Sequence, residues 1–148
     1  MIKPLMILML SCLLWACKSG TSPANEAATH SDAHVATALA LNNGQKWRAD
    51  AATNENVEAI RSVAQIFAMK PHTALPDYQV LGSGLQKGLD KMIQECKMQG
   101  PDHGALHLWL EPLLEDVNEL KKADNIASAE KIFHNINERL ELYTQYFE

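Results

Sequence analysis

Four segments of the chain repeat large apolar residues at three- and four-residue spacing, with polar residues between them. A period of about 3.6 residues is typical of helices that are buried on one face. No segment shows the strict alternation expected of a half-buried strand. The four predicted stripes are Val57, Ile60, Val63, Ala64 and Phe67; Leu81, Leu85, Leu89, Met92, Ile93 and Cys96; Leu106, Leu110, Leu113, Leu114, Val117 and Leu120; and Ala129, Ile132, Phe133, Ile136, Leu140, Tyr143 and Phe147.

Capping and loop signals separate these four helices. Thr53 fits an N-cap of the first helix, the second helix is expected to open after Pro76-Asp77, and Pro101 fits the first turn of the third. The connections at residues 97–100 and 123–125 are short, which forces neighbouring helices to pack antiparallel. The sequence therefore predicts an all-α, up-down-up-down four-helix bundle over residues 53–148.

Helix-weakening residues interrupt two of the stripes. Pro112 removes one backbone hydrogen bond from the third helix and is expected to bend it. Gly82, Gly84 and Gly88 lower the helix propensity of the second. They leave two alternatives, a close approach by a neighbouring helix or a more flexible second helix.

The N-terminus has the layout of a secretory signal. An apolar run at residues 5–15 follows Lys3, and it is shorter than the ~20 residues that a membrane-spanning helix needs. The run ends in LWAC at residues 14–17, which resembles the lipobox of bacterial lipoproteins, whose cysteine is acylated and becomes the mature N-terminus. We predict a signal peptide at residues 1–16 and a lipidated Cys17. An ordinary signal peptide with a chance cysteine is the alternative.

Two segments connect this anchor to the helices. Beyond Cys17, residues 17–33 are small and polar and are expected to form a disordered tether. Residues 34–52 are expected to be an irregular N-terminal segment of the domain. Asn43-Gly44 is a turn signal there, with a short hairpin as one option, and Trp47 is expected to lie against the bundle.

The net charge of the chain limits the kinds of partner that it is expected to bind. The formal net charge is −5, and removal of residues 1–16 with Lys3 makes it −6 over 132 residues, enough for one domain. This balance argues against nucleic-acid binding and against electrostatic attraction to anionic lipid. Membrane attachment would then come from the acyl chains.

The positions of the cysteines leave one thiol whose role has to be explained. Cys12 leaves with the signal peptide and Cys17 carries lipid, so Cys96 is the remaining thiol of the mature chain. The predicted compartment oxidises thiols. Cys96 is therefore a buried apolar residue, a partner in an intermolecular disulfide, or a metal ligand.

The densest chemical signal is the pattern C-x-M-x-G-x-x-H-x-x-x-H, which begins at Cys96 and ends at His107. His103 and His107 are four residues apart, so they share one helix face at about 6 Å. Their row continues into the apolar stripe, so we expect both rings to face the core. An antiparallel hairpin at this turn would place Cys96 level with His103, and the ligands would converge at one end of the bundle.

A thiolate, a thioether and two imidazoles are a soft to borderline ligand set. It suits copper. Zinc is an alternative, because it takes cysteine and histidine readily, although it seldom takes a thioether. Non-covalent haem is a further option, since no C-x-x-C-H motif is present. The same residues can instead be core filler and boundary hydrogen-bonding groups. We predict a copper site formed by Cys96, Met98, His103 and His107, with Met92 as a substitute for Met98.

Other candidates are weaker. His30 and His34 lie four residues apart near the tether, where they can catch metal only transiently, and His72 and His134 have no companions. An acidic run on the third helix is expected to be its solvated face, and it comprises Glu111, Glu115, Asp116 and Glu119. No Ser-His-Asp arrangement, phosphate-binding glycine loop or spaced carboxylate pair is present, so we expect a protein that is not an enzyme.

Two stretches carry a resemblance to known proteins. LNNGQKW at residues 41–47 and the Cys96 to His107 motif resemble a group of small envelope lipoproteins of Bacteroidetes-like bacteria. The likeness covers nearly the whole mature domain and implies an envelope location without a particular activity. The topology is also similar to cytochrome b562-type bundles. The chain lacks their methionine near the start of the first helix and their histidine near the end of the last, which gives the haem alternative little support.

These observations lead to one functional prediction and two alternatives. We expect a lipid-anchored, periplasm-facing metal-binding protein, with copper storage, detoxification or delivery as its role. The alternatives are an interaction module without metal, which docks an envelope protein partner, and an electron-transfer bundle. Lys18 does not resemble an inner-membrane retention signal, which favours the outer membrane.

Overall fold

A computed structural model describes residues 38–148. The four helices are α1 (Ala51–Ala68), α2 (Leu75–Glu95), α3 (Gly100–Lys122) and α4 (Ile126–Tyr146). Consecutive helices pack against each other, and α4 also contacts α1 and α2. The predicted all-α four-helix bundle is therefore confirmed. The predicted signal peptide, the lipidated Cys17 and the tether at residues 17–33 lie outside the described residues.

Side-chain caps set the starts of two helices. The Asp50 carboxylate accepts the backbone N–H of Thr53 at 2.7 Å, and α1 begins directly after it. The predicted N-cap at Thr53 is wrong, because Thr53 lies buried inside the first turn. Asn125 caps α4 in the same way, accepting the N–H of Ser128 at 2.8 Å.

Apolar side chains from all four helices form one core. Trp109 of α3 is its largest fully buried member, and its indole Nε1 donates to the Arg139 carbonyl on α4 at 2.7 Å. This bond satisfies the polar atom of a buried indole and fixes α3 against α4.

Between residues 38 and 148, no helix is both long and apolar enough to cross a lipid bilayer.

Two glycines of α2 permit the helices to approach closely. A Cβ at Gly88 would lie 2.7 Å from Cγ1 of Ile60 on α1, and one at Gly82 would lie 3.0 Å from Cγ of Lys121 on α3. At Gly84 nothing lies within 4 Å of such an atom. Close approach is therefore the correct alternative for Gly82 and Gly88, and Gly84 faces open space.

The irregular N-terminal segment begins with a tight turn. Asn42 and Gln45 exchange backbone hydrogen bonds of 2.8 and 3.0 Å. Between them, Asn43 has φ 52° and Gly44 has φ 85°, and two consecutive positive φ values are what a two-residue type I′ turn requires. The Asn43-Gly44 turn signal is therefore confirmed.

The same segment then pairs with the C-terminus of the chain. The Trp47 N–H donates to the Tyr146 carbonyl at 2.8 Å, and the Glu148 N–H donates to the Trp47 carbonyl at 3.0 Å. The Trp47 ring is half-buried against the core, as predicted. Because α1 starts beside the end of α4, the chain enters the bundle at the end that also carries the α2–α3 connection.

Candidate metal centre

The four predicted ligands lie in and after the short connection between α2 and α3. Cys96 is the C-cap directly after α2, Met98 lies in the connection, and His103 and His107 lie near the start of α3. Gly100, with φ 66°, makes the sharp turn into α3 in a backbone conformation that favours glycine. The sequence thus places all four candidates at one end of the bundle.

Two hydrogen bonds hold this connection against the start of the domain. The Lys97 N–H donates to Oδ2 of Asp50 at 2.7 Å, and the Arg48 N–H donates to Oδ1 of Asp102 at 3.1 Å. Asp50 therefore caps α1 and anchors the α2–α3 connection with its two oxygens. Sequence reasoning missed this role, although an Asp three residues before Thr53 is a capping signal.

The structure brings the two histidines together. The ring centroids of His103 and His107 are 4.7 Å apart, with an interplanar angle of 63°. His103 is half-buried, whereas the His107 side chain is 51% exposed. The shared face predicted from their spacing is confirmed. The expectation that both rings face the core is wrong for His107, because the buried row of α3 passes through Leu106 and Leu110 instead.

The ring of His107 is in contact with a carboxylate. Its Nδ1 lies 3.3 Å from Oε1 of Glu111, one helical turn further along. Because Nδ1 faces the carboxylate, the other ring nitrogen, Nε2, points away from it. Sequence reasoning placed Glu111 on the solvated face, which its exposure agrees with, but missed this contact at the i,i+4 spacing.

The Cys96 thiol packs against the core of the bundle. The backbone N–H of Cys96 donates to the Met92 carbonyl at 2.9 Å, and its thiol is free and half-buried. Burial raises the pKa of Tyr143 on α4, and the negative charges of Asp50 and a Cys96 thiolate raise it further. The Tyr143 hydroxyl donates to Oδ1 of Asn54 at 2.8 Å.

The thioethers of the predicted set belong to the core. Met98 is only 9% exposed and Met92 is fully buried. Within residues 38–148, no group of three or more His, Cys, Asp and Glu side chains is arranged to hold a metal ion. A centre that uses all four predicted ligands therefore requires Cys96 and Met98 to turn from the core toward the histidine pair.

The remaining histidines have separate surroundings. The His72 ring stacks on Phe67 with centroids 3.5 Å apart, and its Nε2 lies 2.8 Å from the Phe67 carbonyl oxygen, so it closes the α1–α2 loop. His134 is exposed on α4, where its Nε2 lies 3.3 Å from Oε1 of Glu138. His30 and His34 lie outside the described residues.

One member of the acidic run on α3 departs from the prediction. Asp116 is half-buried and forms an ion pair of 3.3 Å with Nε of Arg139 on α4. It therefore joins α3 to α4 and is not part of the solvated face, whereas Glu111, Glu115 and Glu119 are exposed as expected.

Comparison with known proteins does not assign this arrangement to a group. No protein family, characterised protein or solved structure matches the chain, and the likeness to envelope lipoproteins stays a prediction from the sequence.

Proposed function

We propose that this chain is a lipid-anchored, periplasm-facing metal-binding protein that takes up copper at the α2–α3 hairpin. Storage, detoxification or delivery of the ion is its role. The observation that carries the proposal is the pair of imidazole rings of His103 and His107, whose centroids are 4.7 Å apart at one end of the bundle.

Two imidazoles on successive turns of a rigid helix can chelate one ion with little loss of conformational entropy. His107 is exposed and gives the ion access from solvent. Its contact with Glu111 uses Nδ1, so that coordination of the ion would use Nε2. The half-buried His103 ring forms the inner side of the same pair.

Sulfur supplies the preference for copper. Cys96 is the only cysteine after residue 17, and Met98 follows it by two residues in the connection that leads to His103. Thiolate and thioether ligands favour Cu(I) over the hard divalent cations. Because both side chains pack against the core without metal, we propose that ion binding draws them toward the histidines.

A competition titration with a Cu(I) chelator, in reducing oxygen-free buffer, tests this proposal. The mature chain should bind one Cu(I), and Cys96→Ala should abolish tight binding. The double variant His103→Gln and His107→Gln should bind at least about tenfold more weakly. His134→Gln is the matched control, because His134 has the same i,i+4 contact with a glutamate.

The proposal fails if the wild type and the double histidine variant titrate alike. Weaker binding by the histidine variant with unchanged binding by Cys96→Ala would contradict the assignment of the thiol. Weakening by His134→Gln would show that copper binds any exposed histidine of the surface.

A second candidate function is an envelope interaction module without metal. The observation that favours it is an apolar groove between α1 and α2, lined by Ala59, Ile60, Val63 and Gly84 among others. For this function, copper and a chelator would leave the melting temperature unchanged, whereas an ion that binds the folded chain raises it.

A further inference from the structure

The exposed side of α1 carries large apolar side chains beside an open groove. Val63 is 44% exposed and Ile66 is 59% exposed. Val63 and Ala59 form one wall of the groove between α1 and α2, and Gly84 and Gly88 form part of the other. Apolar side chains next to a groove form a surface that can both insert into a partner and receive one.

The exposed residues of α1 follow a self-complementary order. Along one stripe the chain reads Glu55, Ala59, Ser62, Val63, Ile66 and Lys70. Lys70 comes directly after Met69, the C-cap of α1, which keeps a helical backbone with φ −70° and ψ −12°. All six residues are exposed. The stripe thus runs from an acidic end, through a small residue and two apolar ones, to a basic end.

An antiparallel copy of the same stripe matches this order. If Ser62 and Val63 lie at the two-fold axis, Ala59 faces Ile66 of the other copy and Glu55 faces Lys70. A large side chain then meets a small one and a carboxylate meets an ammonium, each twice, as a two-fold symmetric contact requires. A parallel arrangement would place like charges together at both ends.

We propose that two copies of this chain associate through α1, antiparallel and about a two-fold axis near Val63. Ile66 of each copy lies over Ala59 of the other and enters the groove between α1 and α2. The groove has room there, because nothing lies within 4 Å of a Cβ built on Gly84. Glu55 and Lys70 of opposite copies pair at the two ends and set the antiparallel direction.

The contact involves about four turns of one helix, so it falls below the ~1,200 Å² of typical stable complexes. We therefore expect a weak dimer in solution, with a dissociation constant of about 10 µM to 1 mM. The interface lies on α1 and the groove, whereas the proposed metal centre lies at the α2–α3 hairpin. Either proposal can therefore fail without the other.

Sedimentation equilibrium of the mature chain tests the dimer from about 10 µM to 1 mM. The chain starts at residue 17 with Cys17→Ser, and reducing buffer excludes a disulfide through Cys96. The wild type should show concentration-dependent dimerisation, and Ile66→Asp should weaken it at least about tenfold. Ile93→Asp is the matched control, because Ile93 is also an exposed isoleucine, at 46%. It lies about two turns after Gln86, whose side chain bonds to Lys121, and therefore on the side of α2 that faces α3 and not α1.

Charge reversal tests the antiparallel direction. Glu55→Lys and Lys70→Glu should each weaken association, because each places like charges together twice in the symmetric dimer. The double variant should restore it. All variants change exposed residues, and circular dichroism should show unchanged helix content.

A chain that stays monomeric at 1 mM overturns the proposal. Equal weakening by Ile66→Asp and Ile93→Asp overturns the assignment to α1. A double charge variant that associates no better than the single ones contradicts the antiparallel arrangement.

Discussion

Oδ2 of Asp50 accepts the backbone N–H of Lys97 at 2.7 Å, so the residue before α1 holds the turn that follows α2. The other oxygen of the same carboxylate caps α1 through Thr53, also at 2.7 Å. One side chain therefore links three parts of the domain, which are the irregular N-terminal segment, the first helix and the hairpin of the proposed metal centre.

Removal of this carboxylate should destabilise the domain. Asp50→Ala leaves the N–H groups of Thr53 and Lys97 without their partner, and we expect a loss of about 1–3 kcal/mol in the free energy of unfolding. Asp50→Asn keeps a capping oxygen and should lose less. Urea denaturation measures both. Asp90→Ala, an exposed change within α2, is the control and should stay within about 0.5 kcal/mol of the wild type.

The same carboxylate should make stability depend on pH in the acid range. Burial acts to raise the pKa of Asp50, but hydrogen bonds from Thr53 and Lys97 outweigh it and hold the pKa below its ordinary value of 3.8. The folded state therefore binds this proton less readily than the unfolded state. The stabilisation is fully present well above pH 3.8 and is lost as the pH falls through the folded pKa.

Urea midpoints of the wild type and Asp50→Asn, measured from pH 7 to pH 2.5, follow this effect. The difference between the urea midpoints of the two proteins should be constant down to about pH 5 and should become smaller below about pH 4. A gap that narrows between pH 7 and pH 5 would contradict the lowered pKa.

Two glycines of α2 should respond to alanine with opposite signs. Gly84→Ala adds a methyl group to open space, so higher helix propensity should raise the free energy of unfolding by up to about 1 kcal/mol. Gly88→Ala places Cβ 2.7 Å from Cγ1 of Ile60. The overpacking should cost about 1–3 kcal/mol and outweigh the propensity gain. Stabilisation by both variants in urea denaturation would show that α1 and α2 separate readily.

The sequence was sufficient to predict the fold because each helix repeats its apolar period over several turns. Pro101 and the short connections then fixed where α3 starts and which helices are neighbours. The N-cap of α1 was missed by three residues, since Asp50 and Thr53 are both good caps and only the tertiary bond to Lys97 favours Asp50. Helix periodicity likewise carries no information on the ion pair between Asp116 and Arg139.

The candidate site was only partly predictable. Spacing alone places His103 and His107 on one face, because four residues make about one turn of a helix. Spacing does not say how far that face is rotated from the core, and a shift of one residue moves His107 from the buried row to solvent. The direction of the Cys96 thiol depends on the backbone after the last turn of α2, which no periodic pattern specifies.

Histidine ring resonances, followed by nuclear magnetic resonance during Cu(I) addition in oxygen-free reducing buffer, test metal binding at the hairpin most directly. We predict that the rings of His103 and His107 shift together and stop shifting at one equivalent, while those of His72 and His134 stay unchanged. Equal shifts of all four rings, or shifts of His134 without the pair, would contradict a copper site on α3.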